Sequence, residues 1–140
     1  MTSIKELAGR LAEEVRWQKT PVSLAEEDYQ DIIIKAIKRL YIDTGRASEF
    51  NTNMIQEVNW EQVFTEDLPI DEEEYILICA QIGFFNQVKA DVNNIVGYTT
   101  DALSVTNADK PYANIKDTLE KLENDRRITY YKMVRYAMGT

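Results

Sequence analysis

Apolar residues recur at steps of three and four along most of this chain, and helix start and stop signals bracket the runs. Ile4, Leu7, Leu11 and Val15 fall on one helical face. Ser3 with Glu6 three positions on forms a capping box, which predicts a first helix from Ser3 to near Trp17, ending before Pro21. Ser23 followed by Glu26 gives the same signature for a second helix, with the stripe Tyr29, Ile33, Ala36, Ile37 and Leu40. It closes at "DTGR", where Gly45 suits a left-handed C-terminal cap. The isoleucines at 32–34 are β-branched, but helical spacing and caps outweigh local propensity.

A third helix opens at Asp71, just after Pro69, with acids at 71–74 in its first turn, where they complement the helix dipole. Tyr75, Ile78, Ile82, Phe85, Val88, Val92 and Ile95 follow at helical steps. Ile76, Leu77, Cys79, Ala80 and Phe84 make its first half apolar nearly all round, as in the central helix of a bundle. Gly83 in mid-helix is expected to permit close approach of another helix in the core, and Gly97 to end this one. A fourth helix is predicted from near Pro111, with Asp109 as a candidate N-cap. Its stripe is Ile115, Leu119, Leu122, Arg126, Tyr130, Met133 and Ala137, so an arginine stands where an apolar residue is due.

Two stretches break the period. Residues 46–70 allow either a short helix through Met54, Val58 and Gln62 or an irregular link anchored by Trp60 and Phe64, and the helix is the favoured reading. Residues 99–114, "TTDALSVTNADKPYAN", alternate apolar Leu103 and Val105 with polar Asp101, Ser104 and Thr106. The prediction is therefore an all-α helical bundle of about four main helices, with a long, partly extended loop between the last two. At 140 residues it forms one domain, 1–140, since single cores span about 100–150 residues.

Composition narrows the function classes. A net charge of −8 argues against nucleic acid as the main partner, because phosphate binding needs concentrated cations. No run approaches the ~18 apolar residues of a membrane span, and the acid-bearing amphipathic N-terminus is unlike a targeting peptide. A single cysteine cannot form an intramolecular disulfide and suits a reducing compartment. Charge is unevenly spread. Residues 61–74 hold seven acids and no base, while residues 126–140 hold four bases and no acid. Helix-dipole bias accounts for this, or else two complementary surfaces meet between subunits.

Candidate chemistry is sparse. The chain has no histidine, which removes Ser-His-Asp and Cys-His nucleophile systems and His-containing metal sites. Cys79 sits in the most apolar part of the central helix, where a thiol packs as a small hydrophobe. No glycine spacing forms a phosphate loop. "DVNNIVGYTTDA" fails as a calcium loop, with Ile95 at a ligand position and Ala102 in place of the bidentate acid. The acids at 71–74 point around their helix and do not converge. No catalytic, cofactor or metal site is predicted, and a magnesium site built from carboxylates is left as the enzymatic alternative. Tyr130, Tyr131 and Tyr136 interleave with Arg126, Arg127, Lys132 and Arg135, a composition suited to a protein interface.

Two blocks, "VSLAEEDYQDIIIKAIKRLYIDTGR" and "VGYTTDALSVTNADKPYANIKDTLEKLENDRRITYYKM", resemble the head–tail adaptor, or head-completion, proteins of tailed bacteriophages. The first is similar to that family's capped helix packing across the bundle, the second to its helix–loop–helix. The resemblance covers somewhat under half the chain and rests on size, helix order and texture. It implies a non-enzymatic virion protein, made in the host bacterial cytoplasm and resident at the head–tail interface. It also implies a homo-oligomeric ring, twelve-fold to match the portal, bound to the portal protein and to a downstream connector or tail protein. DNA would at most pass through the ring, and no membrane is involved. The interface candidates are Leu103, Val105, Tyr112, Arg126, Arg127, Tyr131, Lys132, Arg135 and Tyr136. The loop carrying Leu103 and Val105 either pairs with a neighbouring chain or folds back as an ordinary connection. Alternatives are another virion assembly component, such as a tail-completion protein or small DNA-packaging subunit, and a helical regulator acting as monomer or dimer.

Overall fold

The computed structural model describes residues 1–15, 25–99 and 106–138, with side chains for all of these except 90–114 and 135–138. Four main helices build the molecule: α1 (Ile4–Val15), α2 (Glu26–Asp43), α3 (Ile70–Thr99) and α4 (Thr106–Met138). Between α2 and α3 lie two single-turn 3-10 helices and two strands, β2 (Ile55–Val58) and β3 (Glu61–Phe64). A third short strand, β1 (Thr2–Ser3), precedes α1. The result is a helical bundle with a small antiparallel sheet at its side.

The caps explain the helix boundaries. Ser3 Oγ accepts the Glu6 amide at 3.1 Å, so the first helix starts as its capping box predicts. At α2 the box is carried by other residues. Ala25 is the N-cap, and Asp28 Oδ2 accepts the Ala25 amide at 3.0 Å. Ser23, Pro21 and Trp17 lie outside the described residues. The stop at Gly45 is as expected. With φ +74°, Gly45 lets its amide reach Ile42 O at 3.2 Å while the Arg46 amide reaches Tyr41 O at 2.7 Å. These two bonds make a Schellman motif, which a residue with a Cβ would strain.

α3 is the central helix. It packs against α1, α2 and α4, and Tyr75, Ile76, Leu77, Ala80, Phe84, Phe85 and Val88 are buried on it. Its apolar girth follows from having neighbours on several sides. From α2 come Ile32, Ile33, Ala36, Ile37, Leu40 and Tyr41, and from α1 Ile4, Leu7, Ala8, Leu11 and Val15. Tyr29 is half-buried and stacks on Phe84, with ring centroids 6.1 Å apart. α4 contributes Ile115 and Leu122, with Leu119, Tyr130 and Met133 packed at the margin.

Three expectations are corrected. No helix spans Met54 to Gln62. β2 and β3 form a hairpin there, with Ile55 opposite Phe64 and Val58 opposite Glu61, and β1 pairs on the other edge of β3. Phe64 is fully buried and meets Tyr41 edge-on at 5.8 Å, which fixes the hairpin on the bundle. Burying such a ring stabilises by about 1.5–3 kcal/mol. α3 runs past Gly97 to Thr99, and α4 begins at Thr106 and continues through Pro111. The residues between the two helices are therefore 100–105, outside the described set, and 106–109 are helical where a strand-like loop was expected. Finally, Gly83 is exposed. Among the described residues a Cβ there would meet only Ile32 Cγ2, at an ordinary 3.8 Å, so the close helix approach expected at this glycine is not seen.

Candidate functional site

Arg126 occupies the core-facing stripe of α4 because it has charged partners there. Its Nη1 lies 3.5 Å from Asp43 Oδ2, and its Nε and Nη2 reach Glu123 Oε2 at 3.1 and 2.9 Å. Asp43, in the last turn of α2, also accepts from Arg39 Nε and from the Tyr75 hydroxyl. One carboxylate thus ties α2, α3 and α4 together. Burial, the largest single effect, disfavours the charged guanidinium, but Glu123 and Tyr75 together outweigh it and the Arg126 pKa moves up. Burial, then the bond to Asp43, raises the Tyr75 phenol. Burial likewise pushes the half-buried Cys79 thiol up to about 12. That thiol is protonated at neutral pH and a poor nucleophile.

Beside this cluster α3 and α4 diverge into an open groove of about 790 Å³. Tyr75, Leu119 and Tyr130 give it aromatic and apolar walls, and Lys116 and Arg127 stand on its rim. The Tyr75 and Tyr130 rings lie 6.4 Å apart. A smaller groove of about 400 Å³ opens between α2 and α3, past Cys79 and Gly83. Another, of about 510 Å³, lies toward α1, with Lys132, Glu74 and Asp125 among its lining residues.

The predicted interface residues divide accordingly. Arg126 turns inward to Asp43, so it is a structural cation and not an exposed contact. Arg127, Tyr131 and Lys132 are exposed. Arg127 and Tyr131 are four residues apart on one side of α4, whereas Lys132 borders a different groove. Tyr112, Arg135 and Tyr136 lie on the α4 backbone, with side chains outside the described residues. Leu103 and Val105 also lie outside them.

The acid-only stretch is largely engaged within the chain. Glu72 binds Arg46 at 2.6 Å, Glu73 lies 3.5 Å from Arg10, and Glu61 lies 3.8 Å from Lys5. Asp71, Glu72 and Glu73 also sit in the first turn of α3, where the dipole favours them. Among the described residues no group of three His, Cys, Asp or Glu side chains converges to hold a metal ion. No described helix is long and apolar enough to cross a membrane.

Sequence reading missed the partners Asp43, Tyr75 and Glu123. The signal available was Arg126 itself, since a cation in an apolar stripe calls for a buried acid. It also missed the place of Trp60, which the alternative reading of 46–70 made an anchor of an irregular link and which is 94% exposed at the hairpin tip. No family model, curated protein or solved structure matches the chain.

Proposed function

We propose that this chain is a structural connector of a tailed-bacteriophage virion, a head–tail adaptor. It assembles as a twelve-fold ring beneath the portal and offers a docking surface to the next connector or tail component. The observation that carries this reading is the packing of α2, closed at Gly45, against α3 of the α3–α4 pair. That is the arrangement the resemblance implies for its capped helix and helix–loop–helix. The work of such a protein is done by surfaces. Arg127, Tyr131 and Lys132 present exposed cations and an aromatic ring, the composition of interface anchors, to an acidic partner surface.

The test is genetic and structural. Interrupting the gene in the phage or prophage genome should yield heads and tails that fail to join, seen by electron microscopy. Supplying the native chain in trans should restore joined particles. A chain with Arg127→Glu and Arg135→Glu should not, although it keeps its helical circular dichroism. Joined, infectious particles from the interrupted genome would overturn the proposal.

A further inference from the structure

We propose that Trp60 is a plug between copies of this chain: the hairpin tip of one copy seats its indole in the α3–α4 groove of another. The inference rests on the assembly reading above and supplies it with a specific contact.

Trp60 is the most exposed large apolar side chain among the described residues, at 94%. It also sits on unfavourable backbone. Asn59 and Trp60 form a two-residue hairpin loop with φ of +53° and +68°. That is the pattern of a type I′ turn, whose second position favours glycine. A bulky residue in left-handed conformation is strained, and at 94% exposed this side chain has little burial among the described residues to offset the strain. An exposed tryptophan on a strained turn points outward to a partner, and tryptophan is a frequent anchor of protein interfaces.

The same chain carries a matching socket. The groove of about 790 Å³ has room for an indole against the half-buried Leu119 and Tyr130. Its lining carries Lys116 and Arg127 beside the acids Asp43, Glu120 and Glu123, of which Asp43 and Glu123 are already paired with Arg126. Among the described residues Arg127 donates to the neutral Asn124 Oδ1 at 3.0 Å and makes no ion pair, so its charge is open to an incoming acid. The plug brings acids with it. Glu57 and Glu61 flank the turn, and Glu61 lies 3.8 Å from Lys5, a long and exposed ion pair. Guanidinium over the indole face adds cation–π attraction. Because Trp60 is exposed, it does not fill the groove of its own chain. Plug and socket are different patches, so the contact is heterologous.

The experiment uses the full chain and reads self-association by sedimentation. Trp60→Gly removes the plug and relieves the turn. It should melt no lower than the native chain, and its self-association should weaken roughly 30-fold, the effect of losing an interface tryptophan. The pair Lys116→Glu and Arg127→Glu spoils the socket and should weaken association similarly. Mixed, the two variants should form one-to-one pairs and nothing longer, since one retains the socket and the other the plug. A native chain that stays monomeric, a Trp60→Gly chain that associates as natively, or a mixture that fails to pair would overturn the plug. Particles that still join heads to tails with Trp60→Gly would overturn it while leaving the adaptor reading standing. A chain that self-associates through Trp60, yet is dispensable for joining, would do the reverse.

Discussion

Arg126 on α4 reaches Asp43 in the last turn of α2, Nη1 to Oδ2 at 3.5 Å, across 83 residues of sequence. The carboxylate side chain is only 14% exposed and the guanidinium 29%. Replacing Arg126 with methionine keeps the stem's packing but removes a partner from a nearly buried acid. We expect a loss of about 1–3 kcal/mol in urea unfolding. Asp43→Asn combined with Arg126→Met should cost less than the sum of the two single changes. Strict additivity would show that the two side chains are neighbours without coupling.

The thiol and phenol on α3 set an alkaline limit to stability. Cys79 is pushed up from 9.0 to about 12 by burial, and Tyr75 is raised from 10.0. Above the unfolded values the native state binds more protons than the unfolded state, so stability falls as pH rises. The loss begins near pH 9 with Cys79 and deepens near pH 10 with Tyr75, at no more than about 1.4 kcal/mol per pH unit for each group. Unfolding midpoints at several alkaline pH values should decline accordingly. Cys79→Ala and Tyr75→Phe should each flatten the decline.

Gly83 offers a stabilising change. Its site is open and a Cβ would make one ordinary contact with Ile32 Cγ2, at 3.8 Å. Gly83→Ala should therefore gain about 1 kcal/mol from reduced backbone entropy in the unfolded chain. A lower melting temperature would mean the helix is tighter at that turn than its geometry indicates.

Gly45 should respond in the opposite sense. At φ +74° an alanine would be strained in the left-handed region, and Gly45→Ala should cost about 1–2 kcal/mol. Gly45→Asn should cost less, since asparagine tolerates that conformation. Thermal melts of the two variants check the order.

Helices were legible where local chemistry marks them. Ser3 with Glu6, Gly45, and the acids after Pro69 locate one end each of α1, α2 and α3. The hairpin was not legible, because its turn is Asn59–Trp60 without glycine and its faces are not cleanly alternating. Gln56 and Glu57 are both exposed, while Ile55 and Val58 are half-buried. Its pairing with Thr2 and Ser3 is long-range and leaves no local trace. The start of α4 was hidden because Pro111 draws the eye as a first-turn residue. In the second turn of a helix a proline removes one amide donor and crowds the carbonyl four residues back, so local chemistry marked a boundary there that α4 does not keep. Arg126 announced a buried acid, but nothing in the periodicity singled out Asp43 from the many carboxylates.

The order β1–β3–β2 has a mechanical consequence. β3 is bonded along both edges, and the Thr2 hydroxyl accepts the Leu68 amide and donates to Glu66 O, each at 3.0 Å. A load applied at the hairpin tip therefore travels down β3 into two roots, the start of α1 and the segment that leads into α3. Detaching the hairpin from the bundle requires shearing β1 from β3 and lifting Phe64 out of the core against Tyr41. The hairpin is a cantilever clamped at its base.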